Sequence, residues 1–162
     1  MEAYDEFLQR VQDIHRLSAL QGHLGWDQEV LMPTKGSSSR GEMMAWLAGK
    51  RHEQLTDGRM GELLTMLEND VLDEDQAANV REMRRTYDQA VKLPKSFVES
   101  FAQARSEALI AWQSAREASD FGAFKPALTH LIALTKEKIE LLGITSTPVS
   151  YTHLRAHETS KH

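Results

Sequence analysis

Apolar residues recur at three- and four-residue steps along almost the whole chain, and that one period restricts what it can fold into. Tyr4, Phe7, Leu8, Val11, Ile14 and Leu17 or Ser18 form the first such stripe, which marks one buried face of a helix. A strand would require alternation with a period of two, and no run is long enough to support one. The expected fold class is all-α, about six helices in an antiparallel array.

Local breakers divide the array. The first helix is expected to reach about Leu24, because Gly25, Pro33, Gly36 and Ser37 then signal a break and a loop. A second helix from about Ser38 to Leu55 would bury Met43, Met44, Trp46 and Leu47. Asp57-Gly58 ends it, and a short helix carries Leu63, Leu64, Met66 and Leu67. Asp73 suits the N-cap of a fourth helix with Ala77, Val80, Met83 (or Arg84), Tyr87 and Val91 inward. Leu93-Pro94 stops that helix, since proline turns the preceding residue away from helical geometry, and Pro94 fits the first position of a fifth. In the fifth helix Phe97, Val98, Phe101, Ala104, Ala108, Trp112 and Ala115 repeat at helical spacing. Asp120 would cap a sixth helix with the stripe Phe121, Phe124, Leu128, Leu131, Ile132, Thr135, Ile139 and Leu142. Pro126 falls near its start, and Gly143 is a natural stop. The methionines at 43, 44, 60, 66 and 83 read as core filler.

After Gly143 the pattern is lost. Residues 144–162 have neither helical stripe nor alternation and hold three of the seven histidines, and the run from Val149 to Thr159 resembles a translated linker. The expected division is a helical region over 1–143 and a non-native, disordered tail over 144–162.

Charge and composition exclude several classes. A formal charge of -5 gives no general attraction for a phosphate backbone, and the cluster Arg81, Arg84 and Arg85 is interrupted by Glu82 and Asp88, so no nucleic-acid partner is expected. The absence of cysteine removes disulfides, thiolate metal sites and a cysteine nucleophile. The acidic opening Met1-Glu2-Ala3-Tyr4-Asp5-Glu6 is unlike a signal peptide, and no apolar run approaches the roughly 18–20 residues of a membrane helix. A cytoplasmic protein without a membrane partner is expected.

The search for chemistry gives near misses. A zinc peptidase helix needs HExxH, which puts two histidines one turn apart beside a water-activating glutamate. His52-Glu53-Gln54-Leu55-Thr56 lacks the second histidine, and His157-Glu158-Thr159-Ser160-Lys161-His162 places it one step late; both histidines read as surface or accidental. A di-metal bundle would need a carboxylate three residues before a histidine, but Gln12, Leu20, Gly49 and Ala127 precede His15, His23, His52 and His130. His15 and His23 share a face, with Asp27 and Glu29 following, and read as hydrogen-bonded packing residues rather than ligands. No phosphate loop or nucleophile elbow occurs. From the residues alone, no catalytic, substrate-binding or metal residue is assigned.

Leu24-Gly25-Trp26-Asp27-Gln28-Glu29-Val30-Leu31-Met32-Pro33 adds a family. With Arg40, His52-Glu53, Ala77-Ala78-Asn79-Val80-Arg81-Glu82, Leu93-Pro94, Ala111-Trp112 and Phe121-Gly122-Ala123-Phe124-Lys125-Pro126-Ala127-Leu128, it resembles, in order, the N-terminal part of the carboxypeptidase Taq family. The resemblance implies an all-helical, groove-containing metallopeptidase, typically homodimeric, that releases C-terminal residues from peptides with broad specificity. It implies a zinc (or cobalt) site built from an HExxH helix and a later glutamate, with a metal-polarised water as nucleophile. Those elements lie downstream of the matched part, so no family residue role transfers to a position here and this chain is expected to be inactive alone, with no metal bound. Trp26 as an aromatic anchor and Asp27 as a cap are expected to fix the turn to Pro33. The competing reading is a free-standing helical module that pairs with a full-length peptidase. Apolar faces left uncovered in a fragment would promote self-association or a low melting temperature.

Overall fold

The computed structural model describes residues 2–144, and all regular structure among them is helical. In chain order the helices are α1 (Glu2–Val30), α2 (Ser37–Leu55), α3 (Gly58–Leu67), α4 (Glu74–Ala90), α5 (Lys95–Glu117) and α6 (Phe121–Leu142), with a 3-10 turn at Thr34–Gly36 between the first two. The six expected helices are present. The tail, from residue 145 onward, lies outside the described residues, as does the late histidine pair it carries.

The ends follow local chemistry. Asp57 accepts from Arg59 N at the start of α3, and Asp120 accepts from Ala123 N at 3.2 Å at the start of α6. Asp73 and Gln76 complete a reciprocal capping box on α4, with bonds of 2.8 and 3.2 Å. Pro94 occupies the N-cap of α5 in extended geometry, one step before the position the sequence suggests. Gly143 closes α6 at φ +69°, where a side chain would be strained. Pro126 is inside α6 rather than in its first turn, so the helix forgoes one bond to the Gly122 carbonyl.

The largest departure is α1, which passes through Gly25 and continues to Val30. A mid-helix glycine costs only about 1 kcal/mol relative to alanine, and tertiary bonds from the last two turns offset it. The helix stops where Leu31 N and Met32 N both donate to Asp27 O, at 3.0 and 2.8 Å, just before Pro33.

Packing divides the apolar residues differently from the stripes. One core joins α1, the end of α2, α3 and α4 around Phe7, Ile14, Leu55, Met60, Leu63, Leu64, Leu67 and Val80. Met60, Leu63 and Leu64 are fully buried, each contributing about 1.5–3 kcal/mol of transfer free energy. A second core links α5 and α6 through Phe97, Ala104 and Leu134. The long central α2 packs on α5 and on α1, joining the two. Met43, Trp46, Met66, Ala77 and Val91 are exposed, contrary to expectation, as are Phe121, Ile132, Thr135 and Ile139 on α6. These residues lie on apolar flanks that no neighbour covers among the described residues.

Candidate functional site

Among the described residues, no three His, Asp or Glu side chains come together in a way that could hold a metal ion. The residues present therefore do not fit the metal that the sequence resemblance implies, and no catalytic step is derived through one. His15 and His23 are exposed on α1 and make no side-chain hydrogen bond among the described residues, so they are not the bonded packing residues their stripe suggests. Nor is His52 a surface residue: it is only 8% exposed, and burial pushes its imidazole below the usual 6.5, against the opposing Leu93 backbone contact. Its neighbour Glu53 points away. Lys50 and then Lys95 hold that carboxyl down at about 2, with contacts of 2.8 and 2.6 Å.

Two built features surround the Trp26-to-Pro33 segment. Asp27 Oδ2 accepts from Arg40 Nη2 at 2.5 Å, and Arg40 Nη1 donates to the Leu24 carbonyl. The Arg40 side chain is 11% exposed, so one guanidinium ties the end of α1 to the start of α2. Asp27 thus acts as the partner of Arg40 and not as a cap. Gln28, 5% exposed, is paired with Ser106 of α5, 7% exposed. Gln28 Nε2 donates to Ser106 O at 3.0 Å, and Ser106 Oγ donates back to Gln28 Oε1 at 3.0 Å. Trp26 is 56% exposed and anchors nothing among the described residues.

Two clefts lie along this framework. A cleft of about 440 Å³ is lined by Gly25 and Gln28 of α1, Ser106 and Trp112 of α5, and Phe124 of α6. Motif segments far apart in the chain meet there. A second cleft, of about 540 Å³, is bounded by helices α1, α2, α4, α5 and α6. Phe97 and Phe101 form part of its apolar wall, while Arg51, Arg105 and Lys138 supply charge. No Asp or Glu lines it, although the whole chain is net negative at -5.

The sequence profile of the carboxypeptidase Taq (M32) metallopeptidases matches residues 6–156, nearly the entire chain. The chain belongs to that family. Thermostable carboxypeptidase 1 of Thermus thermophilus is 39% identical over 144 residues, covering 86% of this chain and 28% of the relative. Carboxypeptidase 1 of Bacillus subtilis is 30% identical over 145 residues, covering 88% and 29% respectively. The crystal structure of BsuCP superposes with a TM-score of 0.88 at 28% identity, over 93% of this chain and 31% of that one. The Pyrococcus furiosus carboxypeptidase structure gives 0.71 at 29% identity, covering 93% and 30%. The chain therefore spans less than a third of the M32 relatives it matches.

Residues that carried the sequence resemblance are found together here. Asp27 and Arg40 form one ion pair, and Gln28, Trp112 and Phe124 share one cleft. Sequence reasoning missed the Gln28–Ser106 lock and the three cations of the larger cleft. A signal for the cations was present. Arg51 sits one turn from Leu47 and Leu55, Arg105 one turn from Phe101, and Lys138 one turn from Leu134. Each is a charged residue at a stripe position, able to bury its stem while presenting its head to the cleft.

Proposed function

We propose that these helices are the N-terminal wall of a metal-dependent carboxypeptidase that releases C-terminal residues from peptides with broad specificity. The carrying observation is the family match over residues 6–156 in a chain that spans less than a third of its relatives. On this reading the zinc or cobalt ligands and the catalytic glutamate belong to the part of the M32 protein downstream of this chain. The 162-residue chain is inactive alone, and its helices shape access to the groove. The whole enzyme is a homodimer, as the family resemblance implies, and works in the cytoplasm, a reducing compartment that the cysteine-free composition of this part suits. No described helix is long and apolar enough to cross a membrane.

The distribution of apolar surface favours this over a free-standing regulatory module. Trp26, Val30 and Leu31 at and just past the end of α1, and Met43 and Trp46 in α2, are all exposed. Large exposed patches of this type mark surfaces that another part of a protein covers. The test compares the 162-residue chain with the frame extended from its parent genome, on blocked dipeptides with added zinc or cobalt. Activity is expected only in the extended protein. Metal-dependent turnover by the 162-residue chain would overturn the inactivity, and an extended frame without an HExxH segment would overturn the assignment of the missing ligands.

A further inference from the structure

Helix α6 carries a second apolar flank beside the one it turns to α5. At 3.6 residues per turn, Phe121, Leu128, Ile132 and Ile139 fall within about 40° of one another, in a row about 27 Å long. Leu131 and Leu134, which pack into the α5–α6 core, lie about 80° and 140° round the helix from that row. Among the described residues α6 packs along α5 and along no other helix. Phe121 is 65% exposed, Ile132 47% and Ile139 39%. Thr135 lies beside them with its hydroxyl donated to the Leu131 carbonyl at 2.7 Å, so it brings no unpaired donor to the row.

Charge discriminates among the partners that could cover this flank. Lys125 and Lys136 border one edge of the row, within about 60° of its centre. Neither forms an ion pair among the described residues. The carboxylates of α6, Glu137 and Glu140, lie about 100° or more away from the row. A second copy of α6 fits poorly. Antiparallel pairing that matches Phe121 with Ile139 and Leu128 with Ile132 of the other copy also sets Lys125 beside Lys136, at both ends of the contact. Parallel pairing sets each lysine against its own counterpart. Like charges facing each other across a contact oppose it, whereas a helix with an acidic edge would be drawn to the same lysines.

The course of the backbone points to where such a helix comes from. Gly143 N donates to Glu140 O at 3.0 Å and Ile144 N to Ile139 O at 3.2 Å, a Schellman turn with Gly143 at φ +69°. The turn leaves the helix at the Ile139 end of the row, where Ile144 is half exposed. The Thermus relative continues well past this region, since the chain covers only 28% of it. Consecutive helices usually lie next to each other in space.

We propose that the Phe121, Leu128, Ile132 and Ile139 flank of α6 seats the helix that follows α6 in the M32 chain, laid antiparallel with an acidic edge against Lys125 and Lys136. The inference rests on the reading of this chain as one part of a larger M32 protein, and its failure would leave the HExxH test of that reading untouched. The probe is a fluorescein-labelled synthetic peptide from Thermostable carboxypeptidase 1 of Thermus thermophilus, starting after the position that matches Gly143. About 30 residues suffice for a turn and a helix of the required length. It is titrated with the 162-residue chain and followed by fluorescence anisotropy, with saturable binding expected. Ile132→Asp should weaken binding by about tenfold or more, because it puts a charge at the centre of the apolar row. Lys125→Glu combined with Lys136→Glu should weaken it about fivefold at low salt and less at high salt. Val71→Asp, at an exposed site between α3 and α4, should change it by less than about twofold. Circular dichroism checks that Ile132→Asp is folded, and the double lysine variant carries the test if it is not. Absence of saturable binding, or binding indifferent to the α6 variants, would overturn the proposal. So would sedimentation showing a dimer of the chain that Ile132→Asp or the double lysine variant converts to monomer, since a second copy would then occupy the flank.

Discussion

Replacing both partners of the Gln28–Ser106 pair should cost less than the sum of the two single replacements. The two residues are 78 positions apart and exchange two hydrogen bonds of 3.0 Å in a nearly dry environment. In Ser106→Ala the Gln28 Oε1 keeps no donor, and a buried orphan of that kind costs about 1–3 kcal/mol. Alanine's better helix propensity returns about 0.5 kcal/mol of this. In Gln28→Met the volume is nearly kept, and Ser106 can turn its hydroxyl to the carbonyl one turn earlier in α5. The Ser106 carbonyl itself lies inside the helical ladder, so its loss is small. We therefore expect about 1–2 kcal/mol for each single change, with the double variant recovering about 1 kcal/mol of their sum. Urea unfolding followed by circular dichroism measures the cycle. Amide hydrogen exchange provides a second readout, because the lock holds the last turns of α1 on α5 and protection should fall first near residues 24–30. Single effects that add without coupling, or unchanged exchange in that segment, would refute the claim that the pair acts as a unit.

Other substitutions test separate parts of the structure. Leu64→Ala, at a fully buried site in the α3 core, should lower stability by about 3–4 kcal/mol in the same urea assay. Ser119 ends α5 with φ at 53°, so Ser119→Gly should raise stability by about 0.5–1 kcal/mol, read as a higher melting temperature. Acid should destabilise the chain in two stages. Burial lowers the His52 pKa from 6.5, so the unfolded chain takes up that proton first and stability declines as pH falls below about 6.5. Glu6, held at about 2 by Arg59 and then Arg10, and Glu53, held at about 2 by Lys50 and Lys95, add a loss as pH falls from 4.5 toward 2. The urea midpoint against pH checks both stages, and His52→Gln should remove the first. Finally, tryptophan emission should be red-shifted and readily quenched by acrylamide, since Trp26 and Trp46 are 56% and 60% exposed.

What the sequence by itself determined is the set of helices, their caps and the family. The period of 3.6, Asp73 and Asp120 at N-caps, and Gly143 at the last stop act within a turn or two of chain, so local chemistry suffices to place them. The ordered segments from Leu24-Gly25-Trp26 to Phe124-Lys125-Pro126 identify the family for a similar reason, being written along one dimension. Tertiary structure decided which apolar flank of each helix is covered and where α1 ends. Gly25 is a breaker by its neighbours' reckoning, yet Arg40 and Ser106, far away in the chain, hold the helix together through Val30. Trp46, Met66 and Ile132 look inward from their own helices, but burial is a property of what packs opposite, and nothing among the described residues does. The cationic cleft was half legible. Arg51, Arg105 and Lys138 each interrupt an apolar stripe, which the sequence states plainly, but only the packing of α2, α5 and α6 brings the three interruptions to one cavity.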